Sequence, residues 1–181
     1  MKKGLILILS IVMVVCISIS ATLAYLFVET PPVENTFEYG DINITLDESE
    51  NLDLKMIPGN TITKDPTVTV LKDSEACWLF VKIDKSANFD DFMTYEIADG
   101  WTALPGETNV YYREVPATEA DTEFAVLKDN EVLVKATVLK TELNALTEGT
   151  MPTLTFTAYA VQKDNVTSVA DAWKLVDPAN S

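Results

Sequence analysis

The chain has 181 residues, with 28 Asp or Glu against 13 Lys or Arg and a net charge of −15. That length can bury one core of ordinary size, and that charge repels nucleic-acid phosphates and anionic lipid surfaces. Histidine is absent, which removes the usual general-base, triad and zinc chemistries.

The N-terminus reads as a signal helix. Lys2 and Lys3 are followed by an apolar run over residues 5–19 and then by the small residues Ser20, Ala21, Thr22 and Ala24. Thr22 and Ala24 stand at −3 and −1 of a cut before Tyr25. Residues 5–28 also carry no charge, a length that spans a bilayer if the leader is kept; the small residues near its end favour cleavage. Cys16 would leave with the leader, so Cys77 would have no partner for an internal disulfide. The new N-terminus would be "YLFVETPPVENTF". Tyr25, Leu26, Phe27 and Val28 suit an extended strand. Pro31 and Pro32 cannot donate to a ladder and form a stiff hinge before residue 37. The expected organisation is a signal peptide over 1–24, a donor-strand and hinge segment over 25–36, and one domain over 37–181.

From residue 37 onward the dominant period is two. "FEYGDINITLD" sets Ile42, Ile44 and Leu46 against Asp41, Asn43 and Thr45. "PTVTVL" sets Val68 and Val70 against threonines, and "TLTFTAYAV" sets Leu154, Phe156, Ala158 and Ala160 against Thr153, Thr155, Thr157 and Tyr159. Such alternation predicts half-buried antiparallel strands. "CWLFVKI" is apolar on both faces, Cys77, Leu79, Val81 and Ile83 on one and Trp78 and Phe80 on the other, and predicts a strand covered on both sides. "NVYYREV" and "EVLVKATVL" are further strands. "IPGNT", "LPGET" and "KDN" carry turn chemistry. Short helices are expected near residues 89–93, in "KTELNAL", and in "SVADAWKLV" behind a Ser cap, with Val169, Trp173 and Val176 near one face. The predicted fold is all-β: an antiparallel two-sheet β-sandwich, or jelly roll, with a few short helices. Ile42, Ile44, Val68, Val70, Leu79, Val81, Leu154 and Phe156 are its expected core.

Sites of chemistry are scarce. Cys77 lies between apolar neighbours in mid-strand and reads as a small buried residue. The six glycines never fall in G-x-G spacing, so no phosphate-binding loop is present. Asp47, Ser49, Asn51 and Asp53 alternate like calcium ligands, yet Leu52 stands at the sharp-turn glycine position and Pro58 at that of the closing glutamate. An acidic surface turn is the better reading. Asn43 and Asn165 open N-x-T triplets, which match a glycosylation acceptor pattern. No catalytic residue, metal ligand or cofactor is expected.

Three stretches together carry a resemblance: the leader junction "ATLAYLFVETPPVENTFEYGDINITLDE", "IPGNTITKDPTVTV" followed directly by "CWLFVKI", and "LTFTAYAVQ" with "AWKLV" close behind. They resemble the TasA and camelysin family of Gram-positive bacteria across most of the chain, with less pattern over residues 85–150. The resemblance implies a jelly roll, cleavage by a SipW-type signal peptidase, secretion to the extracellular matrix or cell surface, and, for TasA itself, assembly into biofilm-matrix fibres in which the N-terminal segment of one subunit completes a sheet of the next. Some family members were labelled peptidases; the missing histidine gives that no support here. The expected partners are copies of the chain, other matrix proteins and the signal peptidase, with no nucleic acid, and with the membrane only through an uncleaved leader. A monomeric secreted or surface-held adhesion module is the alternative.

Overall fold

Strands form where the alternating runs lie. The computed structural model describes residues 41–49 and 54–177, which belong to the compact unit Tyr39–Ser181. The leader, the cut between Ala24 and Tyr25, the segment containing Leu26, Phe27 and Val28, the hinge at Pro31 and Pro32, and Asn51 and Asp53 lie outside the described residues. Ten strands follow in order: β1 Ile44–Asp47, β2 Thr61–Thr63, β3 Thr67–Val70, β4 Cys77–Lys85, β5 Met93–Ile97, β6 Thr102–Ala103, β7 Val110–Val115, β8 Thr122–Ala125, β9 Leu127–Val134 and β10 Leu154–Gln162. Three short helices accompany them, α1 Phe89–Phe92, α2 Lys140–Ala145 and α3 Val169–Val176. The fold is all-β, and every strand pair is antiparallel.

Hydrogen bonding groups the strands into three sheets, ordered β10-β4-β7-β6, β1-β3-β8 and β2-β9-β5. The two smaller sheets share their chain segments. β2 runs on into β3, and β8 into β9, each around a corner. Pairing persists through that corner, because the Val126 N–H donates to the Pro66 carbonyl at 3.0 Å and the Lys64 N–H to the Asn130 carbonyl at 2.8 Å. The extra residues fall on the β9 side, where Asp129 and Asn130 take φ of 55° and 56°. "KDN" is therefore not the expected turn between elements. It is a left-handed kink inside β9, a conformation that Asn and Asp tolerate better than other side chains. "EVLVKATVL" is likewise strand only as far as Val134, beyond which Ala136 and Thr137 turn.

Both smaller sheets pack over one face of β4. Val68 and Val70 from β3, Ile62 from β2, and Val132 and Val134 from β9 meet Cys77, Leu79, Val81 and Ile83 in one core. All eight expected core residues join it, Val68, Val70, Leu79 and Val81 fully buried and Ile42, Ile44, Leu154 and Phe156 partly. On the other face of β4, Phe80 packs with Trp173 and Ala172 of α3, with Val110 and with Val161. Ser168 caps α3, its Oγ accepting the Asp171 N–H at 3.1 Å. β4 is thus covered on both sides, as its two apolar faces require.

Candidate functional site

β10 and β2 each end a sheet among the described residues, so each presents one open backbone edge. The direction of the edge groups follows from bonds just beyond the strands. The Ser86 N–H donates to the Thr153 carbonyl and the Lys163 N–H to the Ala76 carbonyl, which sets the odd-numbered residues of β10 against β4. By antiparallel alternation, the backbone N–H and C=O of Leu154, Phe156, Ala158 and Ala160 then point to the open edge. The Val134 N–H to Asn60 carbonyl and Lys64 N–H to Asn130 carbonyl bonds set Ile62 against β9. Thr61 and Thr63 then direct their backbone groups outward.

A groove of about 750 Å³ is lined by residues of both strands. Ile62, Phe89, Met93, Val132 and Leu154 supply its apolar interior, all buried except the half-buried Leu154. Leu54 and Met56 contribute from the segment before β2, and Leu143 and Met151 from the segment before β10. Leu54 is 56% exposed and Met151 48%, so the groove presents some of its apolar lining to solvent. Methionine is the distinguishing residue. Outside residues 1–24 the sequence has only Met56, Met93 and Met151, and all three line this groove. Unbranched, polarizable thioethers adapt to varied apolar partners.

The polar surroundings are mostly internally paired. Lys64 bridges to Glu48 at 2.5 Å and its ammonium stands 5.8 Å over the Phe156 ring. Ser49 donates both its hydroxyl and its N–H to Asp65, and these bonds hold the Asp65 carboxyl below its ordinary range. They tie the stretch after β1 to the β2–β3 corner. Cys77 is fully buried on β4, and desolvation pushes its thiol to about 11, so it stays protonated and unreactive near neutrality. Among the described residues no cluster of three or more His, Cys, Asp or Glu side chains has metal-site geometry.

The residues expected to act, at the cut, in the donor segment and at the hinge, lie outside the described residues, so the groove is not seen with them. What the sequence reading missed is the groove itself. Its lining comes from widely separated segments, and only the sparse, late methionines could have signalled it. Comparison with protein-family models, with curated proteins and with solved structures finds no match. Among the described residues no helix is long and apolar enough to cross a membrane.

Proposed function

We propose that this chain is a secreted structural protein without enzymatic activity, which assembles head to tail into extracellular matrix fibres by donor-strand addition. A SipW-type peptidase cuts between Ala24 and Tyr25. Tyr25, Leu26, Phe27 and Val28 of one copy then enter the groove of the next and add to an open edge, with Pro31 and Pro32 as the hinge. The observation that carries this reading is the methionine-lined apolar groove, whose lining includes Ile62 of β2 and Leu154 and Thr155 at the start of β10, two strands that each end a sheet among the described residues. It offers unpaired backbone groups and apolar pockets together, which is what an added strand requires. A head-to-tail contact of this kind extends without closing.

The fold reading behind the proposal is a two-sheet jelly-roll sandwich. Its support is the corner pairing of β2–β3 with β8–β9, which makes the two smaller sheets halves of one bent layer facing the β10-β4-β7-β6 sheet. The adaptable methionines also favour a second reading, a surface-held binding module whose groove takes an extended apolar peptide from another protein.

The experiment compares protein beginning at Tyr25 with protein beginning at Val33, by light scattering over a concentration series and by electron microscopy. The first is expected to form fibres and the second to stay folded and monomeric. A third sample, Leu54→Glu in the longer form, places a charge on an exposed bank of the groove and is expected to block assembly without unfolding the domain. Equal assembly by all three would sink the donor-strand reading. Monomers throughout, with capture of an apolar peptide by the groove, would favour the binding module.

A further inference from the structure

Arg113 is the sole arginine among the 13 basic residues of the chain. It lies on β7 between Tyr111 and Val115, both of which pack into the main core, so its side chain leaves the strand on the core-facing side. Its guanidinium carbon stands 3.8 Å from the Phe124 ring centroid and 5.3 Å from that of Trp101. Trp101 is itself anchored, its indole N–H donating to the Ala125 carbonyl at 2.9 Å. The turn at Gly100, with φ of +87°, passes so close that a Cβ there would stand 2.9 Å from Nη2. Two rings and a glycine turn thus hold the fork in one orientation.

The fork has no anion. Every ion pair among the described residues is made by a lysine. Arg113 Nε is sealed from solvent without an acceptor, while the two terminal nitrogens are not sealed in that way. Burial lowers its pKa, and the group remains charged at neutral pH. In a chain with 28 carboxylates, an unpaired, half-buried and pre-oriented cation is anomalous. A lysine has neither the planar fork nor the flat face that stacks on the two rings here. A planar fork between aromatic walls is what bidentate recognition of a planar anion calls for.

We propose that Arg113, with Trp101 and Phe124, is a receptor site for an organic carboxylate, the two oxygens meeting the terminal guanidinium nitrogens and the adjoining carbon chain lying against the rings. The carboxylate comes from a free small acid or from an acidic side chain of a second copy. The site stands on β7 and β8, apart from the groove residues, so it does not depend on the donor-strand reading.

The test is a titration of the native protein followed by NMR at the Trp101 indole N–H and Arg113 Nε–H signals, with sodium acetate against sodium chloride at equal ionic strength. Acetate is expected to give saturable shifts in the millimolar range and chloride none. Arg113→Lys, which keeps the charge, is expected to weaken acetate binding at least tenfold, whereas Leu54→Glu in the groove leaves it unchanged. Sedimentation over a concentration series separates the sources. Weaker self-association of Arg113→Lys identifies the second copy, and unchanged self-association identifies the free acid. Acetate shifts no larger than those of chloride, with unaltered self-association, would overturn the proposal and leave Arg113 as a stacked cover over the core. Arg113→Met adds a neutral control where it folds, and Arg113→Lys carries the test where it does not.

Discussion

At the scale of single residues, burial ranks what the alternation alone could not. Leu79 and Phe80 are fully buried on opposite faces of β4, while Phe156 on β10 is only half-buried. Leu79→Ala is therefore expected to cost about 2–5 kcal/mol, and Phe156→Ala to fall below the ~3–5 kcal/mol of a fully buried ring. Chemical denaturation beside Thr155→Ala, which alters an exposed position, measures both; a Phe156→Ala midpoint equal to that of Thr155→Ala would mean that the faces of β10 are reversed. Asp65 gives a pH prediction. Its hydrogen bonds from Ser49 lower its pKa in the folded chain, so the native state binds this proton less readily than the unfolded one. The stability it contributes is present above the unfolded value, near 3.8, and is lost as pH falls through the lower folded value. Carbon NMR is expected to show Asp65 titrating below the ordinary aspartate range, and Ser49→Ala, which removes the hydroxyl bond and keeps the backbone one, to raise it part of the way back. Cys77, buried and shifted to about 11, is expected to resist thiol reagents in the native protein and to label at the rate of unfolding, which mass spectrometry reads directly.

At the scale of elements, the period-two runs and the Pro-Gly turns were legible, and the corners were not. Gly59 and Gly106 take φ of +85° and +89°, and the residues flanking each turn close a hydrogen bond, Asn60 N–H to Ile57 carbonyl and Glu107 N–H to Leu104 carbonyl. Pro followed by Gly in this geometry is type II turn chemistry. Gly106→Ala meets no atom within 4 Å, so its expected cost, about 1–2 kcal/mol, is the backbone term alone. Asp129 and Asn130 show the limit of such reading. Their preference for left-handed backbone is real, yet the same local conformation serves a hairpin or a kinked strand, and only pairing with β2 and β5 decides between them. β2 and β6 are too short, at 3 and 2 residues, to show a period. The α3 cap was legible because it is local. Ser168→Ala is expected to lower stability by ~0.5–2 kcal/mol and, through Trp173, to loosen the cover over Phe80, seen as a change in near-ultraviolet circular dichroism.

At the scale of the whole molecule, the candidate groove was illegible because no sequence window contains it. Under the proposed assembly, two or three inserted side chains supply roughly 4–8 kcal/mol gross, at ~1.5–3 each, and ladder bonds about 0.5–1.5 apiece. Association costs roughly 4–15 kcal/mol, so growth depends steeply on concentration. Copies cut before Tyr25 have lost Lys2 and Lys3 and carry a net charge of −17; they repel one another, and salt at 0.1 M confines that repulsion to about 10 Å. Assembly is therefore expected to speed up on going from low to physiological salt, and turbidity against ionic strength checks it; slower growth in salt would mean that charge attraction drives the contact. The pairing of β4 with β10, running from Cys77 opposite Gln162 to Lys85 opposite Leu154, adds a matter of timing. These partners are far apart in the chain, and closing so long a loop is a late event in folding. Under the proposed export and cleavage, Tyr25 would be exposed well before β10 had crossed the membrane. Under the proposed assembly the donor would be ready while its own acceptor edge does not yet exist, and a nascent copy would attach to a finished neighbour before it could receive one.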